Sequence, residues 1–342
     1  MKTKVTALFF TLSLMVFSGC KEFLDHLDKV EPDKTQVKEF ASGLAAPLGM
    51  AIDAKGQIWV TEIGTGQNDG KVSVIRPNGS SYVVIEGFPS FMGPGGPEEI
   101  VGLNHLVMKE GTLYILHANG TLYITNVASF TPGETPLQAS ALLKEDIGSF
   151  VLSYAFEEDA EESNPYNLTF GPGGNLYIAD AAANALIRRT PAGVLSVFAT
   201  FPDIVNPAPF GPPTLDAVPT SIAFDGQKFY VTTLTGFPFP AGKARLYTLD
   251  GSGNITDFQE GFTTLTDMTL RANHKPVVIE HAQFTPQGFA PNSGRMILVS
   301  DNGKQEVLVQ GLNFPTAIVS GGPGTYYVNS LADGKIMKVT TR

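Results

Sequence analysis

A segment of about 50 residues recurs six times along the chain. Each copy runs through an extended strand ending in Gly-Leu or Gly-Phe, a loop often carrying Pro, an apolar strand, a glycine turn and an aromatic strand. The first reads Glu39-Phe40-Ala41-Ser42-Gly43-Leu44, Pro47, Met50-Ala51-Ile52, Gly56, Ile58-Trp59-Val60. A late one reads Val307-Leu308-Val309-Gln310-Gly311-Leu312, Pro315, Ala317-Ile318-Val319, Gly324, Tyr326-Tyr327-Val328. In the second copy Gly102-Leu103 reads as the glycine dipeptide. The central position falls at Trp59, Tyr114, Tyr177, Tyr230, Val277 and Tyr327, at spacings of 55, 63, 53, 47 and 50 residues. A period of this size built from short strands marks a β-propeller, with loop insertions supplying the excess. The expected fold is all-β: a six-bladed β-propeller over residues 35–342.

A third strand follows in several copies, alternating polar and apolar residues as a half-buried strand does: Gly70–Val74, Ala185–Arg188, Ala244–Tyr247 and Gly334–Lys338. After the last of these the chain stops at Arg342, one strand short. Gln36–Ala41 precedes the first Gly-Leu and is the strand that is missing. The last blade is therefore expected to be closed by the N-terminal strand, which hides two sheet edges at once.

Composition agrees with this reading and removes several functions. With 36 Gly, 24 Pro, 43% hydrophobic and only 16% charged residues, the chain has turn formers and core material in excess of charge. A net charge of −10 argues against nucleic acid as a partner. A single cysteine excludes a disulfide framework, a cysteine zinc site and a CxxC redox pair. Gly93-Pro94-Gly95-Gly96, Gly171-Pro172-Gly173-Gly174 and Gly321-Gly322-Pro323-Gly324 lie between strands rather than before a helix, so they read as hairpin turns and not phosphate cradles.

The first residues are an address. Lys2 and Lys4 precede the apolar run Thr6–Phe17, too short for a stable span and shaped as a signal segment. It ends in Phe17-Ser18-Gly19-Cys20, which resembles a bacterial lipobox. Residues 1–19 read as a lipoprotein signal peptide, Cys20 as the lipidated first residue, and 20–34 as a charged tether. Lys21 after Cys20 favours the outer membrane. The expected product is extracytoplasmic, lipid-anchored and monomeric.

Three residues after each central position stand Glu62, His117, Asp180, Thr233, Glu280 and Ser330, polar where core strands otherwise avoid charge. Two readings stay open. They form a polar ring at one channel mouth, holding a polar ligand or an oxygen-liking cation through Glu62, Asp180 and Glu280; or each caps its own turn, as Asp180 with Asn184 would. His105 and His117 lie in adjacent strands. His281 beside Glu280, with His274 near in sequence, offers an acid–imidazole pair for base catalysis, and His117 a second imidazole. Phe237-Pro238-Phe239-Pro240 either plugs the channel or presents a stiff apolar binding surface, and the Pro-rich stretch around Phe210 is expected on the same rim. The acidic run from Glu157 to Glu162 reads as a solvated loop.

Val218-Pro219-Thr220-Ser221, Leu234-Thr235-Gly236-Phe237-Pro238-Phe239-Pro240-Ala241-Gly242-Lys243-Ala244 and Gly261-Phe262-Thr263 resemble the ScyD/ScyE family, as does Asn164-Pro165-Tyr166-Asn167-Leu168 followed by Leu176–Ala181. The resemblance covers roughly residues 38–342. It implies an exported propeller of the NHL and gluconolactonase-like kind, with no settled activity. The lipobox departs from the family pattern.

Two classes of function follow. One is a membrane-anchored, non-enzymatic binding module, without cofactor, that holds a small molecule, glycan or protein on its rim. The other, implied by gluconolactonase-type relatives, is a lactonase- or hydrolase-like enzyme using a channel calcium held by Glu, Asn and Asp. The Glu-Gly-Pro motif of such relatives is replaced here by Ala46-Pro47-Leu48-Gly49.

Overall fold

The second strand of every repeat is apolar at consecutive positions, as in Ile58-Trp59-Val60, because both faces of each sheet are covered. In a computed structural model that describes residues 35–93, 96–157, 160–300 and 303–341, neighbouring side chains on these strands go to opposite neighbouring blades. Trp59 packs towards blade 2, while Ile58 and Val60 pack towards blade 6. Six such cores sit between the blades, one for each adjacent pair. The signal peptide, Cys20 and the tether lie outside the described residues.

Each blade is an antiparallel sheet. The inner strands are Pro47–Ile52, Leu103–Lys109, Pro165–Phe170, Pro219–Phe224, Leu265–Leu270 and Ile318–Ser320. They touch one another in ring order, the sixth against the first. The second strands are Ile58–Glu62, Thr112–His117, Leu176–Asp180, Phe229–Thr233, Pro276–Glu280 and Thr325–Ser330, and the third include Thr121–Asn126 and Gly294–Val299. The structure is the expected six-bladed propeller.

Closure is as the sequence requires. Gln36–Ser42 lies antiparallel on Lys335–Thr340, from Gln36 opposite Thr340 to Ser42 opposite Lys335, with a bulge between Glu39 and Ala41. Lys335 reaches Glu39 at 3.0 Å, and the Phe40 ring packs on Tyr327 with centroids 4.7 Å apart.

The glycine dipeptides have a backbone cause. Gly43, Gly87, Gly261 and Gly311 all have φ between 76° and 98°, where a side chain is strained. Gly87-Phe88, at the end of the blade 1 outer strand Ser81–Phe88, is therefore the second copy of the dipeptide. Gly102-Leu103 instead leads into the blade 2 inner strand, after an inserted hairpin.

The two rims differ. Where inner strands end, hairpins turn tightly, as at Gly171–Gly174 and Gly321–Gly324. Insertions gather where inner strands begin: Phe91–Gly93 with Gly96–Val101, the helix Gly148–Ser153, Ile204–Val205 with Thr214–Leu215, the loop 234–243, and Phe284–Thr285 with Gly288–Phe289. One stretch, 127–142, leaves by the short-turn rim and adds Leu137–Gln138 as a parallel strand outside blade 1.

Candidate functional site on the insertion-bearing rim

The polar residue closing each second strand is buried, and in five blades it ties down the loop that enters its own blade. Glu62 accepts the Ala45 N–H at 2.6 Å, the Ser73 hydroxyl, and the Lys71 ammonium at 3.4 Å. Asp180 accepts the Ser163 hydroxyl at 2.6 Å and the Asn164 and Ala183 N–H groups at 2.9 and 3.1 Å. Glu280 accepts the Thr263 N–H at 2.8 Å and a two-pronged contact from Arg295. His117 bonds the Pro89 carbonyl at 3.0 Å and accepts the Asn119 N–H on Nδ1. Ser330 donates to the Asn313 carbonyl at 2.8 Å. Thr233 differs, engaging both backbone groups of Arg245. Burial raises the Asp180 carboxyl against these bonds and lowers the His117 imidazole, which stays neutral near pH 7.

The predicted imidazole pairs separate. His105 lies on the channel and stacks on Tyr166, whereas His117 packs against Tyr123. His274 sits in the tight turn Arg271–Lys275 at the opposite rim from His281. Glu280 holds Arg295, while His281 turns to the Pro315 carbonyl at 3.1 Å and is kept neutral by burial.

Phe237 and Phe239 join a ridge that the sequence did not disclose. Ring centroids step from Phe210 to Phe237 at 6.3 Å, Phe237 to Phe284 at 5.8 Å, Phe284 to Phe239 at 5.1 Å and Phe239 to Phe289 at 5.0 Å. His281 continues it, 5.5 Å from Phe289 and 5.2 Å from Phe314. The ridge crosses blades 4, 5 and 6. Phe210 and Phe237 are 57% and 53% exposed, and the others half-buried. Exposed aromatics joined in this way are a feature of binding surfaces. Asn184 lies elsewhere, bonded to the Phe201 carbonyl and the Val218 N–H. It lines a cleft of about 630 Å³ between blades 3 and 4 with Phe156, Asp203 and Asp216.

Along the axis, the equivalent inner-strand positions are Gly49, His105, Asn167, Ser221, Asp267 and Ala317. The ring carries no sequence signature, because its members share no residue type. A Cβ at Gly49 would lie 2.5 Å from the His105 Cα, so only glycine lets blades 1 and 2 approach here. Asp267 accepts Asn167 Nδ2 at 3.0 Å, the Ser221 hydroxyl at 2.7 Å and the Ile318 N–H at 2.9 Å. One layer nearer the insertion-bearing rim, four side chains bond across to the next blade. Asn104 donates to Pro165 at 3.0 Å, Thr220 to Leu265 at 2.8 Å, Thr266 to Pro315 at 3.0 Å and Thr316 to Leu48 at 2.8 Å.

These groups do not fit a calcium ion, which takes about 6–8 oxygens including several carboxylates. The channel layer offers one carboxylate, already accepting three hydrogen bonds. Glu62, Asp180 and Glu280 are engaged within separate blades. Among the described residues, no group of three or more His, Cys, Asp or Glu converges to hold a metal.

No family model matches the sequence, and neither does any curated protein. Solved structures share the fold. A gluconolactonase from Xanthomonas campestris is 10% identical, with a TM-score of 0.60 and 92% of each chain covered. PQQ-bound aldose sugar dehydrogenase from Streptomyces coelicolor is 14% identical, with a TM-score of 0.57, 90% of this chain and 99% of that chain covered. Virginiamycin B lyase from Staphylococcus aureus is 16% identical, with a TM-score of 0.50, 90% of this chain and 99% of that chain covered. At such identities the likeness extends to the gluconolactonase-like six-bladed propeller and no further.

Proposed function

We propose that this chain is an exported, lipid-anchored propeller of the ScyD/ScyE type that binds a ligand or partner on its insertion-bearing rim. The carrying observation is the aromatic ridge from Phe210 to Phe314, which spans three blades and lies partly open to solvent. Its flat apolar faces suit the ring face of a glycan or an aromatic group of a partner. The anchor reading fits the geometry. The first strand starts at the short-turn rim, where Gln36 meets Thr340. The fifteen residues from Lys21 to Thr35 reach at most about 50 Å. An anchor at Cys20 would hold the short-turn rim towards the lipid and turn the ridge away from it.

The enzyme alternative rests on fold likeness, and the channel residues lack the donor set for its metal. The deciding measurement is thermal melting with and without chelator, beside a δ-lactone hydrolysis assay. We expect an unchanged melting temperature and hydrolysis at background. A fall of many degrees on chelation, lost in Glu62→Gln or Asp180→Asn, would establish the calcium enzyme instead. Binding is read on a glycan array, where Phe237→Ala and Phe284→Ala should lose the signal that wild type gives. Retained signal in both variants would remove the ridge from the function.

A further inference from the structure

The exposed end of the aromatic ridge borders the cleft between blades 3 and 4. One hairpin joins the two: Ile204–Val205 pairs with Thr214–Leu215, Phe210 lies towards its tip, and Asp203 and Asp216 stand at its base. Asp216 also meets the loop that carries Phe237, its carbonyl accepting the Gly236 N–H at 3.0 Å. The cleft of about 630 Å³ is of ligand-site size, in the range of about 300–1,000 Å³. Its far wall is aromatic again, where the half-buried Phe156 packs on Tyr154 with ring centroids 4.7 Å apart.

Between these aromatic ends the lining is anionic. Glu157, Glu161 and Glu162 line the cleft from the loop that enters blade 3, and Asp203 and Asp216 line it from the hairpin that enters blade 4. No lysine or arginine lines it, and among the described residues none pairs with these five carboxylates. Desolvation and the charge of Asp203 both raise the Asp216 carboxyl. Like charges gathered without a counter-charge repel one another, and a cation seated among them relieves the repulsion. A single metal ion is a poor match, because among the described residues no three of these groups converge on one point. The complement is an extended organic cation that also has apolar faces for the aromatic ends.

We propose, resting on the reading of the ridge as a glycan surface, that the ligand is a glycan with free amino groups, its sugar rings on Phe210 and Phe237 and its ammonium groups in the cleft. The surface runs from aromatic to acidic to aromatic, and an amino-sugar chain repeats an apolar C–H face and an ammonium group on every rigid ring. A basic peptide carries its rings and its charges on separate flexible side chains, and each must be ordered on binding.

The test is a calorimetric titration of the full chain at about pH 6, where ordinary carboxylates are ionised. The probes are a glucosamine hexamer and its N-acetylated counterpart, which has the same rings and no charge. The amino hexamer should bind about tenfold or more tighter than the acetylated one, and the gap should close in about 1 M salt. Asp203→Asn combined with Asp216→Asn should bring the amino hexamer to the level of the acetylated one, and Phe237→Ala should weaken it as well. Equal binding of the two hexamers, a gap that salt or the double variant leaves unchanged, hexalysine bound as tightly as the amino hexamer, or no binding of either hexamer would each overturn the proposal. The ridge is judged separately. A neutral glycan bound by wild type and lost in Phe237→Ala keeps the ridge even where this proposal falls, whereas amino-hexamer binding unchanged in Phe237→Ala takes both down.

Discussion

The carboxylate of Asp267 on blade 5 accepts a hydrogen bond from Asn167 on blade 3, 3.0 Å away and two blades distant. With Ser221 of blade 4 and the Ile318 N–H of blade 6, it ties four blades to one side chain. Burial pushes this carboxyl up to about 6, against bonds that lower it.

Between about pH 4 and 6 the folded chain thus keeps a proton that the unfolded chain has released. The carboxyl's contribution is fully present below about pH 4 and is lost as pH rises through 6. Stability of wild type relative to Asp267→Asn should therefore increase on acidification, by up to about 3 kcal/mol. Denaturant melts of both proteins from pH 7 to 4 check this; a difference independent of pH refutes it. Should the variant not fold, a ¹³C titration of Asp267 in wild type gives the same answer.

His105 slopes the other way. Burial lowers its imidazole to about 3, so its contribution is present above about pH 6.5 and drains as pH falls. Wild type should lose about 3 kcal/mol relative to His105→Phe between pH 6.5 and 4. Melting both proteins across that interval reads the difference, and parallel curves would contradict it.

The threonine contacts between blades give a graded series. Thr220→Val, Thr266→Val and Thr316→Val each keep the side-chain shape and remove one hydroxyl donor from a carbonyl of the next blade, although the Pro315 carbonyl keeps His281 and the Leu48 carbonyl keeps Asn329. Each should cost about 1–2 kcal/mol in urea unfolding, with no change in the secondary-structure spectrum. Values near zero would mean that water replaces the hydroxyl.

Removing residues 1–42 takes away the outer strand of blade 6. The edge of Lys335–Thr340 is then open, and trypsin should cut at Lys335 and Lys338, sites that wild type protects. Faster aggregation should accompany the cleavage. Equal protection of both chains would show that the sheet does not need its N-terminal strand.

The repeat was legible because propeller blades impose one demand six times. Two buried faces need consecutive apolar residues, and a left-handed turn needs Gly43, Gly261 and Gly311. An insertion hides the second copy of the dipeptide. The hairpin between Phe88 and Leu103 separates Gly87-Phe88 from its inner strand, so Gly102-Leu103 took its place in the pattern. The polar position at Glu62, His117, Asp180, Glu280 and Ser330 was visible because each residue meets the same need, fastening the entering loop. That its bonds stay inside single blades was one of two open readings, and the partners in the entering loops, such as Asn164 for Asp180, were not visible. Phe210 beside Phe237 on one rim was legible in the Pro-rich stretches; the rest of the ridge and the channel ring were not, because Phe284 and Phe314, like His105 and Asp267, come together through ring closure rather than through spacing.

Blade 6 joins Gln36 to Thr340, so the two ends of the chain share one sheet. A chain that has emerged as far as five blades is a horseshoe with two unpaired apolar faces. Completion must wait for the last residues, and the slow step of assembly is the meeting of the extremes. New termini cut between two other blades, with the old ones fused, would give a ring of the same shape that closes in a different order.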